Sequence, residues 1–127
     1  MPAQPRRTAL QATGQALPPP QALVGMLDSG ATQTVIDPQV RQALNLVPFR
    51  IRRVSVPSSP APIQVPCYKL DLAIIDPAGG FWLLCPMLSV FETPLLHTGV
   101  PVLVGCDVLS KCLFCHNGST GSFVLAY

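Results

Sequence analysis

One carboxylate follows an apolar strand directly and lies in a turn that could hold it in position for a reaction. The apolar run 22–27 is typical of a buried strand, and it stops at Asp28, followed by Ser29, Gly30, Ala31 and Thr32. Backbone amides of such a turn can hold a carboxylate in place, and Gly30 permits a close approach of the backbone. A carboxylate held in this way can take or give a proton. Asp-Ser-Gly is also common in ordinary turns, so the tripeptide alone leaves a purely structural role open.

A second group of reactive residues lies near the end of the chain. Cys112, Cys115 and His116 match the C-x-x-C-H pattern of haem attachment, and Cys106 could complete four zinc ligands with them. No second C-x-x-C is present, and on a strand Cys112 and Cys115 point to opposite faces. We therefore expect buried, reduced cysteines, with no metal and no cofactor.

The remaining polar residues favour structural roles. Asp37 precedes Pro38, a pairing typical of a helix N-cap and its first residue, and Asp107 is expected to cap the last short helix. Arg50, Arg52 and Arg53 are expected on a solvated strand face.

The amino-acid composition favours some kinds of binding partner over others. The 127 residues carry a net charge of +2, only 11% of them are charged against roughly 25% in average domains, and 49% are apolar. The small charge disfavours nucleic acid, and the surplus of apolar residues favours a surface buried against another subunit. Prolines and glycines interrupt the uncharged stretch 8–27, and no secretory signal precedes it. These features predict no membrane partner and a cytoplasmic location.

The elements that must position Asp28 are short. Residues 1–20 are rich in Pro and Gln and predict a flexible arm, leaving one domain over 21–127. Fifteen prolines argue against long helices. Strands are expected at 22–27, 34–36, 50–56, 63–75, 81–91, 100–104, 113–115 and 122–127, with a turn at 76–80 and a bulge or sheet edge at Pro86. The pattern predicts an all-β, barrel-like domain with one or two short helices.

Two segments of this sequence resemble the retropepsin-like aspartic proteases, the retroviral-protease type and its bacterial relatives. The first runs from Leu27 to Thr32 and is followed by Thr34-Val35-Ile36, and the second is the apolar-Gly segment from Val102 to Leu109. The resemblance covers roughly residues 21–127. It implies a closed, acid-protease-like β-barrel, with a supporting loop formed by Val104, Gly105 and Asp107 beside the active-site turn.

The resemblance also implies a mechanism. The chain has one Asp-Ser-Gly, so the enzyme would be a homodimer in which two Asp28 carboxylates share one proton and activate water to hydrolyse a peptide bond. Ser29 would bond across the dimer, while Gly30, Ala31 and Thr32 would line the substrate floor. The flap over the peptide or protein substrate would be formed by Val56, Pro57, Ser58, Ser59, Pro60, Ala61 and Pro62.

The sequence departs from the retroviral pattern at two places. Thr32 and Cys106 replace an acidic residue and an arginine that form an ion pair in retroviral members, so both charges are absent together. The expected flap tip contains no glycine. The alternative function is therefore a catalytically inactive module of the same fold that binds peptides or forms dimers.

Overall fold

The protein is mostly β-sheet with few helices in the computed structural model, which describes residues 1–75 and 81–127. The turn predicted at 76–80 lies outside the described residues. The strands are β1 (Gly25–Leu27), β2 (Val35–Ile36), β3 (Arg50–Val54), β4 (Ile63–Ile75), β5 (Phe81–Glu92), β6 (Val102–Val104), β7 (Leu113–Asn117) and β8 (Ser122–Ala126). The helices are α1 (Gln4–Ala12), α2 (Pro38–Ala43) and α3 (Cys106–Leu109), with a 3-10 turn at Leu96–Thr98.

Six strands form one sheet in the order β1-β6-β2-β5-β4-β3, and β7 pairs only with β8. The pairs β1/β6 and β2/β5 are parallel, and the other neighbours in the sheet are antiparallel. The predicted all-β class is confirmed. The predicted closed barrel is not formed by the described residues, because β1 and β3 lie at opposite ends of the sheet and no ladder joins them.

Alternation along the strands gives the sheet two different faces. Side chains of one face, including Ile36, Tyr68, Leu70, Val90 and Val102, form the hydrophobic core together with Val40 of α2 and Val108 of α3. On the opposite face the ladder aligns Leu103 with Val35, Val35 with Phe91, and Phe91 with Cys67. The same strands therefore supply both the core and a second apolar surface.

Helix α2 begins as the sequence predicts. The Asp37 carboxylate accepts hydrogen bonds from the Gln39 amide at 3.0 Å and from the Leu95 amide at 2.8 Å. These bonds hold the pKa of Asp37 below its ordinary value, chiefly through the Gln39 amide and then the Leu95 amide. The N-cap is confirmed, and Asp37 also ties α2 to the segment after β5.

Pro86 lies at an irregularity in the long β4/β5 ladder, as its position in the sequence indicates. The register shifts between Leu70 and Leu72, and Met87 takes a left-handed conformation with φ of 55°. The Asp71 carboxylate accepts a hydrogen bond from the Met87 amide at 2.9 Å, so the displaced backbone is satisfied.

The sequence predicts a flexible arm over residues 1–20, but part of this segment is helical and packs against the domain. Residues 4–12 form α1, Leu10 is fully buried and Ala3 is 1% exposed. Pro2 bridges to Leu70, and the Met1 ammonium donates to the Asp71 carbonyl at 2.8 Å. The prediction was wrong because it was based on the Pro and Gln content. It gave no weight to two apolar side chains, Ala3 and Leu10, which the structure buries.

Within residues 1–75 and 81–127 there is no helix with the length and hydropathy needed to cross a bilayer.

We expect Leu10→Ala to lower the free energy of unfolding by about 2–4 kcal/mol, because it would leave a cavity under α1. Leu17→Ala is the matched control, since Leu17 is 41% exposed, and it should have an effect below about 1 kcal/mol. Urea denaturation followed by circular dichroism measures both. Equal effects of the two substitutions would contradict the packing of α1 on the domain.

Candidate functional site

Asp28 directly follows β1 and is half-buried in a tight turn. Its Oδ1 accepts a hydrogen bond from the Gly30 amide at 2.9 Å, and its carbonyl accepts one from the Ala31 amide at 3.2 Å. Its own amide donates to the Val104 carbonyl at 2.9 Å. The turn thus fixes the carboxylate by backbone groups alone.

The segment at Gly105 passes directly behind this turn. The Cys106 amide donates to the Ala31 carbonyl at 2.8 Å, and the Cys106 thiol donates to the Ser29 carbonyl at 3.3 Å. A Cβ on residue 105 would lie 2.6 Å from the Gln33 carbonyl carbon and 2.9 Å from the Ala31 oxygen. Only glycine therefore allows the two backbones to approach so closely.

A buried hydroxyl and a carboxylate join the same two segments. Thr34 is fully buried, and its Oγ1 donates to Asp107 Oδ1 at 2.7 Å and accepts from the Gly105 amide at 3.2 Å. The Thr34 amide also donates to the Asp107 carboxylate at 3.0 Å. Asp107 is therefore not the predicted N-cap: Gly105 occupies that position, and Asp107 lies in the first turn of α3 with its side chain directed to Thr34. No local pattern in the sequence indicates this role of Thr34.

The turn forms one end of a cleft of about 510 Å³ on the second face of the sheet. The cleft is lined by Asp28, Gly30, Ala31, Thr32, Gln33, Val35, Val54, Ser55, Val56, Pro57, Ile63, Val65, Phe91, Thr93 and Leu103. Asp28 is the one acidic side chain among them, and the others are mostly apolar. Alternation along β3 and β4 was the signal that could have identified Val54, Ile63 and Val65 in advance.

The predicted site residues divide into four groups. Asp28, Gly30, Ala31 and Thr32 line the cleft together with Val56 and Pro57 of the expected flap. The rest of the flap, residues 58–62, does not line it, although β3 and β4 form the expected hairpin. Val104, Gly105 and Asp107 lie behind the turn and support it. Ser29 is exposed, and no hydrogen bond from its hydroxyl is formed within the described part of the chain.

The loop at the end of the β3/β4 hairpin is held by its own hydrogen bonds. The Ser59 amide donates to the Val56 carbonyl at 3.1 Å, and the Ser59 hydroxyl donates to the Ala61 carbonyl at 2.7 Å. Pro57, Pro60 and Pro62 restrict the backbone further.

The cysteines are all free thiols. Cys112 precedes β7 and its thiol donates to the Leu109 carbonyl at 3.3 Å, whereas Cys115 is exposed on β7. Among residues 1–75 and 81–127, no three His, Cys, Asp or Glu side chains are grouped so that they could hold a metal ion.

The β7/β8 hairpin exposes apolar side chains. Leu113 is 63% exposed, Val124 60% and Tyr127 72%, and the Phe114 and Phe123 rings pack only 6.1 Å apart. A two-stranded hairpin alone is at best marginally stable in water. The hairpin therefore presents an exposed apolar surface.

Comparisons with protein-family models, with curated proteins and with solved structures find no match.

We expect Gly105→Ala to destabilise the fold by several kcal/mol, because the added methyl group must displace the backbone of the Asp28 turn. Gly118→Ala is the matched control, since a Cβ there meets nothing within 4 Å. Thermal unfolding of the two variants beside the wild type is the measurement. A Gly105→Ala protein as stable as Gly118→Ala would show that the two segments are not packed as described.

Proposed function

We propose that the protein is an aspartic endopeptidase that acts as a homodimer, with one Asp28 from each protomer at the catalytic centre. The observation that carries the proposal is the placement of Asp28. Its carboxylate accepts a hydrogen bond from the Gly30 amide and lines a mostly apolar cleft, in which it is the one acidic side chain among the described residues.

Contact between the two segments that carry the retropepsin resemblance supports the proposal. These segments are far apart in sequence, yet the Asp28 amide bonds to Val104 and the Cys106 amide bonds to Ala31. In a retropepsin-like fold the apolar-Gly segment would lie beside the catalytic turn in this way. The closed, acid-protease-like arrangement is part of the same proposal and would be completed by the dimer.

The chemistry requires a second carboxylate. Two Asp28 side chains facing each other across a two-fold axis could not both ionise at close range, so the pair would hold one proton. The ionised member would remove a proton from water, and the protonated member would polarise the scissile carbonyl. The two apparent pKa values would belong to the pair.

The dimer would use surfaces that the single chain leaves exposed. The apolar side chains of the β7/β8 hairpin would be covered by the second copy, and the Ser29 hydroxyl would find its partner in the opposite turn. One assembly would thereby supply both the stability that the hairpin lacks and the second carboxylate.

A peptide substrate would lie extended in the cleft. Gly30, Ala31 and Thr32 would form its floor, and Val56 and Pro57 would contact it from the flap side. Backbone hydrogen bonds would hold the peptide and apolar side chains would fill the cleft.

The second candidate is a catalytically inactive module that binds peptides or forms dimers. The loop 55–62 favours it, because three prolines and two internal hydrogen bonds restrict the closing motion that a flap needs. Cleavage of peptide bonds distinguishes the two functions.

Asp28→Asn should reduce cleavage of a denatured protein mixture between about pH 4 and 7 by at least about a thousandfold. The substitution removes both the carboxylate that would take a proton from water and the carboxyl group that would polarise the scissile carbonyl. Asp71→Asn is the control, since Asp71 pairs with Arg7 away from the cleft, and it should retain cleavage. A statine-type inhibitor should abolish wild-type cleavage. Activity of Asp28→Asn equal to that of the control would exclude the assignment, and a folded, dimeric wild type that cleaves nothing would favour the inactive module.

Ser29→Ala should raise the dissociation constant of the dimer about fivefold or more, because one hydrogen bond would be lost from each turn. Val124→Glu should raise it much further by burying charges in the hairpin interface. Ser119→Glu in the hairpin turn is the matched control and should leave it unchanged. Sedimentation equilibrium measures the dissociation constants of all three variants. A dissociation constant of Val124→Glu equal to that of the wild type would show that the hairpin is not the interface.

A further inference from the structure

The acidic and basic side chains of the fold are not evenly paired. Outside the cleft, each acidic side chain on the described residues is engaged: Asp37 by Gln39 and Leu95, Asp71 by Arg7 and Met87, Glu92 by Arg41, and Asp107 by Thr34. Strand β3 carries Arg50, Arg52 and Arg53, and none of them forms a salt bridge to a described carboxylate. The sheet edge beside the cleft is therefore positively charged, and no carboxylate on the described residues forms a salt bridge with these arginines.

Arg52 is the member of this group that contacts residues lining the cleft. It pairs with Val65 in the ladder, so its side chain rises from the same face as the cleft-lining Val54 and Val65. Its guanidinium lies 5.5 Å from the centre of the Phe91 ring, and its Nη1 donates to Gln33 Oε1 at 3.0 Å. Both Phe91 and Gln33 line the cleft.

These contacts orient the guanidinium, and within residues 1–75 and 81–127 most of its donors have no acceptor. A guanidinium has five N–H donors, of which Gln33 takes one, and the Phe91 ring restricts the orientation of its plane. The Gln33 contact is with a neutral amide, so no described carboxylate neutralises the positive charge of Arg52. A carboxylate is the group that such a planar fork binds best.

We propose that Arg52 is a specificity-determining residue that selects extended peptides carrying an Asp or Glu side chain, which it binds at the Gln33–Phe91 side of the cleft. This inference deepens the proposed function. Its consequence for cleavage rests on the protein being a protease, as proposed above. Apolar residues of the peptide fill the rest of the cleft. The acidic side chain then lies at a fixed distance along the peptide from the Asp28 turn, because both anchors belong to one rigid sheet and turn.

The neighbouring arginines do not meet the same conditions. Arg50 lies over the Phe49 ring, at 5.1 Å from its centre, and Phe49 does not line the cleft. Arg53 pairs with Gln64, so the alternation of β3 places it on the opposite face from Arg52. Arg53 therefore provides a control with the same charge on the same strand.

The test measures peptide binding separately from cleavage. The probes are short, acetylated and amidated fluorescent peptides of Ala, Val and Ser in which one Glu is moved along the positions, each matched by the same peptide with Gln. Fluorescence anisotropy with the Asp28→Asn protein should show about fivefold tighter binding of the Glu peptide at one position, with the preference decreasing in high salt. Arg52→Gln in the same background should remove the preference, Arg52→Glu should reverse it toward Lys, and Arg53→Gln should keep it.

Equal affinity for Glu and Gln peptides at every position would overturn the inference, as would an acidic preference that survives Arg52→Gln or a lack of binding by every probe. Cleavage sites of the wild type in a denatured protein mixture, identified by mass spectrometry, form the second measurement. Sites without enrichment of Asp or Glu would overturn the inference while supporting the protease. An Arg52-dependent binding preference without any cleavage would support the inference for a peptide-binding module and overturn the protease.

Discussion

The hydroxyl of Thr34 connects the parts of the chain on which the candidate site depends. It donates to Asp107 and accepts from the Gly105 amide, so one fully buried side chain joins segments more than seventy residues apart in sequence. Because the Thr34 hydroxyl and the Gly105 amide are buried, leaving either of them unpaired would cost more than the net strength of a hydrogen bond. The turn that carries Asp28 is consequently fixed from behind, by contacts that do not occupy the cleft in front of it.

The division of the sheet into two faces has a similar effect on the cleft. The strands that place Ile36, Tyr68 and Val90 in the core place Val35, Cys67 and Phe91 on the opposite side. The shape of the cleft is therefore set by core packing and strand register. Its selectivity can change through a side chain on the cleft face, such as Arg52, without altering the residues that hold the sheet together.

Local patterns in the sequence predicted most of the strands, the Asp37 cap and the irregularity at Pro86, because each depends on neighbouring residues. The position of Asp28 after an apolar strand was predictable for the same reason, but the strand is Gly25–Leu27 and is largely exposed, whereas a buried strand was expected over 22–27. The role of Thr34 was not, since its partners are brought to it only by the complete fold. The burial of Leu10 was missed because the prediction for residues 1–20 relied on composition and not on the positions of the apolar residues. The barrel was expected from the number of strands, which does not specify whether the edge strands meet. The closeness of Arg52 to Gln33 and Phe91 depends on the ladder register, which the arginine cluster alone does not reveal.

In the proposed dimer, the β7/β8 hairpin would make the stability of the protein depend on its concentration. In the proposed dimer, burial of Leu113, Val124 and Tyr127 is available only after association, so mass action links the stability of each chain to the amount of chain present. The second carboxylate arrives in the same event. Below the dissociation constant the protein would lose stability and chemistry together, and in the cell its synthesis rate would act as the switch for both.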